Sequence, residues 1–234
     1  MSATNRGTTR QPQDFYETPY WCTRAILPLL PAGRVLDPCC GEGAILDVAK
    51  EQGREAYGIE LDEERAMVAS QRGHAGECGD ALRHSWPDAK VLVTNPPYSL
   101  AMDFILRALQ WIREKPQARA AAFLLRVNFI SSQTRSDFHK QHPADLHVLP
   151  KRPSFILSVS CDAVPYDVFP GKRGCGWAET IPLLPTGEPR RERPVKCPRC
   201  GGATKHSSSD ATEYAWYVWG VGRGGRWSIL DLPA

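Results

Sequence analysis

The chain has 234 residues, a net charge of +3 and an apolar fraction of 42%. That is enough for one α/β domain with a real core, while no apolar run reaches the length of a membrane-spanning helix, so no membrane partner is expected. A charge of +3 does not by itself define a polyanionic partner, and no secretory leader is expected around Met1–Asn5.

Residues 1–13 are polar and are expected to be disordered. Pro19 to Leu30 reads as a helix that stops at Pro31-Ala32-Gly33. Arg34-Val35-Leu36-Asp37-Pro38-Cys39-Cys40-Gly41-Glu42-Gly43 then reads as a strand, a tight turn and a helix start, and Ala44–Lys50 continues as a helix that ends near Gly53. Gly41 and Gly43 allow close backbone approach to a ligand. Asp37, at the strand end, can accept from an ammonium group or from ordered water. The third glycine of a dinucleotide fingerprint is absent, and so is a P-loop.

Ala56–Glu60 is a second strand. Glu60 lies 23 residues after Asp37, a spacing that suits one βαβ step and a carboxylate on ribose hydroxyls. It reads equally as a solvated acid beside the helix-opening Asp62-Glu63-Glu64. A third step ends at Cys78-Gly79-Asp80-Ala81-Leu82. Asp80 is either an acceptor for an adenine amino group or a plain turn residue.

Lys90–Thr94 is a buried strand halted by Asn95-Pro96-Pro97-Tyr98, because two prolines cannot continue a ladder. The stop leaves an amide, a proline carbonyl and an aromatic ring at the carboxyl edge of the sheet, where open α/β folds bind ligands. The amide oxygen and carbonyl can hold the two hydrogens of an amino group, and the ring can stack on the planar system carrying it. Methylation of a planar amine or amide nitrogen is the chemistry this set suits. Ser99–Glu114 reads as a helix with Ser99 as N-cap, and Ala118–Leu125 as a buried strand.

The ordered set DPCCGEG, GIELD, GDAL and NPPY resembles class I S-adenosylmethionine-dependent amino-methyltransferases. Asp14-Phe15-Tyr16-Glu17-Thr18-Pro19 is similar to the segment preceding the first motif in DNA adenine-N6 methyltransferases. Leu149-Pro150-Lys151-Arg152-Pro153-Ser154-Phe155 and Tyr214–Trp219 resemble late elements of the phage-type members. The resemblance implies a Rossmann-like sheet with helices on both faces, and S-adenosylmethionine held by Tyr16, Thr18, Pro19, Asp37, Pro38, Gly41, Gly43, Glu60, Leu61, Asp80, Ala81 and Asn95. It further implies catalysis by Asn95, Pro96, Pro97 and Tyr98, with Tyr98, Arg152 and Phe155 on the substrate. The target would be a flipped-out adenine in double-stranded DNA, and the setting the cytoplasm of a bacterial or phage-infected cell, with the protein a monomer or weak dimer. NPPY is shared with enzymes acting on RNA and on protein glutamine, which remain open alternatives. So does a non-catalytic DNA-binding protein with a relict methyltransferase fold. Cys39-Cys40 departs from the common pattern, and turn or core packing is its expected role.

Residues 14–155 are assigned to the catalytic core and 156–210 to a zinc-ribbon-like or irregular basic insertion. Residues 211–234 are assigned to strands that complete the core sheet. Cys197-Pro198-Arg199-Cys200 is a metal knuckle; Cys161 and Cys175 would complete a zinc quartet, and His206 could replace one thiolate. Arg119, Arg126, Arg135, Lys140, Lys151 and Arg152 lie past the NPPY loop, and Arg190, Arg191, Arg193, Lys196, Arg199 and Lys205 form a second basic cluster. Either is a solvated loop or a phosphate-tracking surface.

Overall fold

The computed structural model describes residues 16–161, 178–190, 192, 194–199, 202–207, 212–222 and 224–233. An eight-stranded sheet contains β1 (Val35–Asp37), β2 (Ala56–Glu60), β3 (Ala75–Cys78), β4 (Val91–Thr94), β5 (Ala120–Arg126), β6 (Asp145–Val148), β10 (Tyr214–Trp219) and β11 (Trp227–Ile229). Their order is β11-β6-β10-β5-β4-β1-β2-β3. Neighbours from β5 to β3 pair in parallel, whereas β10 runs antiparallel between β5 and β6. Three strands of the segment following the core, β7 (Ile156–Cys161), β8 (Ala178–Pro182) and β9 (Thr204–Ser207), make a separate antiparallel sheet of order β8-β7-β9.

Alternation along the central strands creates two cores. Val35, Val91, Val93, Ala122, Leu124, Trp216 and Val218 face one side, with α1 (Tyr20–Ile26) and α2 (Ala44–Glu51). Leu36, Leu92, Ala121, Phe123, Tyr217 and Trp219 face the other, under α4 (Ala101–Glu114). Runs such as Val91–Thr94 are buried throughout because both faces are covered, which is why they read as continuous apolar stretches. The fully buried Trp216 donates its indole N–H to the Cys22 carbonyl (3.0 Å), tying the antiparallel strand to α1. α3 (Glu63–Gln71) is capped by Asp62, whose carboxylate accepts from the Arg65 amide at 3.1 Å. α5 (Ser136–Gln141) follows β5. No helix among the described residues is long and apolar enough to cross a membrane.

Three local expectations are corrected. The first helix stops at Ile26 and tightens into a 3-10 turn over Leu27–Leu29, because Pro28 supplies no backbone donor. Ser99 does not cap the helix after NPPY: Tyr98–Leu100 forms a 3-10 turn, and α4 starts at Ala101 without a side-chain cap. The segment 156–210, which lacked evident periodicity, contains three strands.

Cys40 takes up the space that Gly58 leaves open. A Cβ at Gly58 would lie 2.5 Å from the Cys40 sulfur and 2.8 Å from Leu46. Burial pushes the thiols of both Cys39 and Cys40 well above their ordinary range, so neither is a ready nucleophile. Gly58→Val is expected to lower the unfolding free energy by about 2 kcal/mol through overpacking, read as a shifted urea midpoint at unchanged slope. An unshifted midpoint would mean that the turn yields freely.

Candidate active site

The carboxyl ends of β1, β2 and β4 and the incoming segment Tyr16–Thr18 enclose a cleft of about 500 Å³. Each strand delivers one polar group. Asp37 ends β1 and is 1% exposed; its Oδ1 accepts from the Thr94 hydroxyl (2.7 Å) and the Cys39 amide (3.1 Å). Glu60 ends β2, and its two oxygens accept from the amides of Gly41 (2.8 Å) and Asp62 (3.0 Å). Gly41, at φ 54°, turns the backbone so that its N–H meets that carboxylate.

Asn95 follows β4 directly. Its Nδ2 donates to the Tyr16 carbonyl at 3.1 Å, which fixes the amide's orientation, since a carbonyl can only accept. Its Oδ1 is consequently turned the other way, buried and with no hydrogen-bond partner among the described residues. A buried acceptor left unpaired costs on the order of 1–3 kcal/mol, and such orphans call for a functional reason. Tyr98 is half-buried, 6.1 Å from the Tyr214 ring and with the Arg126 guanidinium 5.5 Å above its own.

The cleft is lined by Tyr16, Thr18, Asp37, Gly41, Glu60, Leu61, Asn95 and Pro97 from the expected set. Pro19, Pro38, Pro96 and Tyr98 adjoin those residues in sequence but are not in its lining. Gly43 is not in the lining either; at φ 96° it heads α2, and a Cβ there would meet the His74 ring at 2.6 Å. Asp80 and Ala81 also lie outside the lining. Asp80 accepts from the Leu82 amide (2.9 Å) and pairs with Arg83 (3.2 Å), as a turn residue does. Phe155 is buried between Tyr16 (5.8 Å) and Tyr214 (5.3 Å) and offers no open face for a base. Arg152 pairs with Glu213 at 2.6 Å on the surface.

Of the metal quartet, Cys175 and Cys200 lie outside the described residues, as do Asp14 and Phe15 of the N-terminal motif. Cys197 is buried, and its amide bonds to the Gly202 carbonyl (2.7 Å). Among the described residues no group of three or more His, Cys, Asp or Glu side chains is placed to hold a metal.

One constellation escaped the sequence reading. Arg190, from the loop after β8, bonds Glu17 (2.6 Å) and Glu42 (2.9 Å), while Arg72 reaches Glu42 (3.2 Å), Asp47 (3.5 Å) and Glu17 (3.7 Å). Asp47 also accepts from Tyr20 (2.7 Å) and pairs with His74 (2.8 Å). Burial lifts the Glu17 carboxyl above its ordinary value, and Arg190 opposes that shift. The partners lie up to 173 residues apart, so no spacing rule could have joined them.

The fold is that of class I S-adenosylmethionine-dependent methyltransferases. A proposed RNA methyltransferase of Pyrococcus horikoshii, PH1948, is similar over 93% of each chain, at 14% identity and a TM-score of 0.50. A TehB-like SAM-dependent methyltransferase of Corynebacterium glutamicum is similar over 86% of each chain (15% identity, TM-score 0.44). A dimethyladenosine transferase of Plasmodium falciparum matches over 57% of this chain (16% identity, TM-score 0.44), and the chain covers 54% of that protein's length. Residues 20–104 match the model of an uncharacterised methyltransferase family, DUF6094. No curated protein matches the chain.

Asp37 offers a test of the site's electrostatics. Burial lifts its carboxyl to about 7, against the lowering hydrogen bonds from Thr94 and the Cys39 amide. The folded chain therefore keeps a proton that the unfolded chain sheds near its ordinary value of 3.8. The associated stability is present at low pH and is lost as pH rises towards about 7. Asp37→Asn is expected to gain melting temperature relative to the parent chain between about pH 5 and about pH 8. A constant difference across that range would show that Asp37 does not titrate there.

Proposed function

We propose that this protein is an S-adenosylmethionine-dependent DNA adenine-N6 methyltransferase. The observation that carries the reading is the Asn95 side-chain oxygen, enclosed and unpaired at the cleft beside a proline-terminated strand. The fold and the family match support methyltransferase activity, and the NPPY loop supports a planar amino group as acceptor.

The cleft residues fit the cofactor. Glu60 is placed at the strand end for ribose hydroxyls. Asp37 is a buried carboxylate whose charged form a nearby cation would favour. Gly41 leaves room for close approach, and Tyr16 and Thr18 close the opposite wall. Bound there, S-adenosylmethionine supplies an electrophilic methyl on a positive sulfur.

The chain's own contribution is positioning and dipoles. Adenine N6 is a poor nucleophile because its lone pair is delocalised into the ring. Asn95 Oδ1 and the Pro96 carbonyl accept its two hydrogens and favour a more tetrahedral nitrogen. The Tyr16 carbonyl keeps the amide from rotating, so the oxygen and not the nitrogen of Asn95 meets the base. Tyr98 adjoins the cleft without lining it, and it serves as the stacking ring only once it turns towards the base. A base within a duplex cannot reach this edge, so the nucleotide is flipped, which costs a few kcal/mol. After transfer the nitrogen sheds one proton to water, and no strong general base is required.

DNA is favoured over RNA or protein glutamine by the sequence elements that resemble those of DNA adenine enzymes. Nucleoside mass spectrometry after incubation with S-adenosylmethionine and adenine-unmethylated plasmid is expected to show N6-methyladenine. Asn95→Ala should reduce transfer at least about a hundredfold, as the loss of one preorganised polar group does elsewhere, with cofactor affinity largely kept. No modified nucleoside from a cofactor-binding protein would remove the DNA reading and leave RNA or protein substrates. Parallel loss of cofactor affinity would recast Asn95 as a fold residue.

A further inference from the structure

The proposed reaction needs the oxygen of the Asn95 amide in the cleft, and the Tyr16 carbonyl decides that orientation by taking the nitrogen (3.1 Å). That carbonyl belongs to the peptide unit joining Tyr16 to Glu17, which is planar and turns as one body. Whatever holds Glu17 therefore aims the carbonyl. We propose that Arg190 is a positioning residue for methyl transfer: by clasping Glu17 it keeps the Tyr16 carbonyl on Asn95 and the Asn95 oxygen towards the substrate. The proposal rests on the reaction proposed above and gives a part in it to a residue that does not line the cleft.

Arg190 Nη2 reaches two carboxylates at once, Glu17 Oε2 at 2.6 Å and Glu42 Oε2 at 2.9 Å. Glu17 is 7% exposed and lines the cleft. Glu42 follows Gly41, whose amide donates to the Glu60 carboxylate at 2.8 Å. One cation thus joins the wall that orients Asn95 to the turn that faces Glu60. Two carboxylates bonded to one nitrogen repel each other once it is removed. The second cation, Arg72, stands farther from Glu17, at 3.7 Å. The Tyr16 ring rests on Phe155 (5.8 Å) and the Tyr20 amide on the Pro185 carbonyl (3.1 Å), but neither contact acts on the Tyr16–Glu17 peptide itself.

Arg190 is delivered by a closed turn. Leu183 pairs with Pro189 across it, the Leu184 amide donates to the Glu188 carbonyl (2.7 Å), and the Gly187 amide donates to the Leu184 carbonyl (2.8 Å). Leu183 is buried, and its amide donates to the Phe155 carbonyl (2.9 Å), which anchors the turn beside the Tyr16 ring. A charge pair placed in this way has a set geometry, and a set geometry is what preorganisation of a reacting group requires of its supports.

The test uses the full isotope-labelled chain with S-adenosylmethionine and adenine-unmethylated plasmid. The Asn95 side-chain amide gives a pair of nitrogen–proton NMR resonances, assigned by their disappearance in Asn95→Ala. In Arg190→Gln this pair is expected to move towards the position of a free amide, with kcat about tenfold lower and S-adenosylmethionine affinity close to the parent's. Because a single nitrogen bridges both carboxylates, a lysine ammonium can replace it, and Arg190→Lys should restore the resonances and most of kcat. In an Asn95→Ala background Arg190→Gln should add no further loss of single-turnover transfer, since two residues acting through one interaction are not additive. Glu17→Gln keeps an oxygen for Arg190 and should move the same pair by less; it decides the matter if Arg190→Gln does not fold. An Asn95 pair that stays at its parent position, or losses from Arg190→Gln and Asn95→Ala that multiply, would overturn the positioning role even with DNA methylation observed. A shifted pair in a parent that binds S-adenosylmethionine but modifies no nucleoside would keep the hold of Arg190 on Asn95 and remove the DNA reaction.

Discussion

The hydrogen bond from Asn95 to the Tyr16 carbonyl is the constraint on which the site depends. Two prolines end β4 and remove two backbone donors from the edge of the sheet, so side chains and incoming segments must supply the polar groups there. Asn95 could turn its amide either way. The Tyr16 carbonyl admits only the nitrogen, and the oxygen is left buried and unpaired. Among the described residues Thr23 Oγ1 and Trp111 Nε1 are orphaned within the core as well, so it is the position of the Asn95 oxygen at the cleft that sets it apart. In the proposed reaction that oxygen accepts a hydrogen from the substrate amino group.

Tyr16 is itself held by charge. Glu17 follows it, is buried, and is gripped by Arg190. The Tyr20 amide donates to the Pro185 carbonyl (3.1 Å), a second tie between the same two segments. The loop after β8 is thus fastened to the stretch that orients Asn95. Removing Arg190 would leave the buried Glu17 carboxylate without its nearest cation, so the segment between β6 and β10 is joined energetically to the cleft although it lies far from it in sequence. Glu42 and Arg72 extend the network to the turn after β1 and to the end of α3.

Much of this was legible before any coordinates. Strands alternating with helices, glycines at the β1 turn and a proline stop at Asn95 each have a local physical cause, and those elements stand where expected. What stayed hidden depended on tertiary partners. Asp80 looks like a ligand-facing acid until its own turn amide and Arg83 are seen to occupy it. Phe155 reads as a substrate-facing ring, but Tyr16 and Tyr214 enclose it. Ser99 resembles an N-cap, yet a 3-10 turn after Pro97 delays the helix by two residues. The strands of 156–210 are interrupted by proline, glycine and arginine, so neither period emerges.

The distribution of charge on the two sides of the NPPY loop has a consequence for the proposed reaction. On one side lie Asp37 and Glu60, an acidic wall suited to a sulfonium and an ammonium; on the other lie Arg126 and Arg135. Between them stand Asn95, two prolines and Tyr98, all neutral. A neutral planar base fits that middle ground without desolvating any charge, whereas a protonated amine would be drawn to the acidic wall and would carry no lone pair to donate. The cofactor's positive charge is also dispersed as its methyl leaves, so a fixed cation near the nitrogen would repel the developing positive charge there. Polar but uncharged groups stabilise that charge through their dipoles with no reorganisation, which is the physical reason for an amide and a carbonyl at the point of transfer rather than a carboxylate or a lysine.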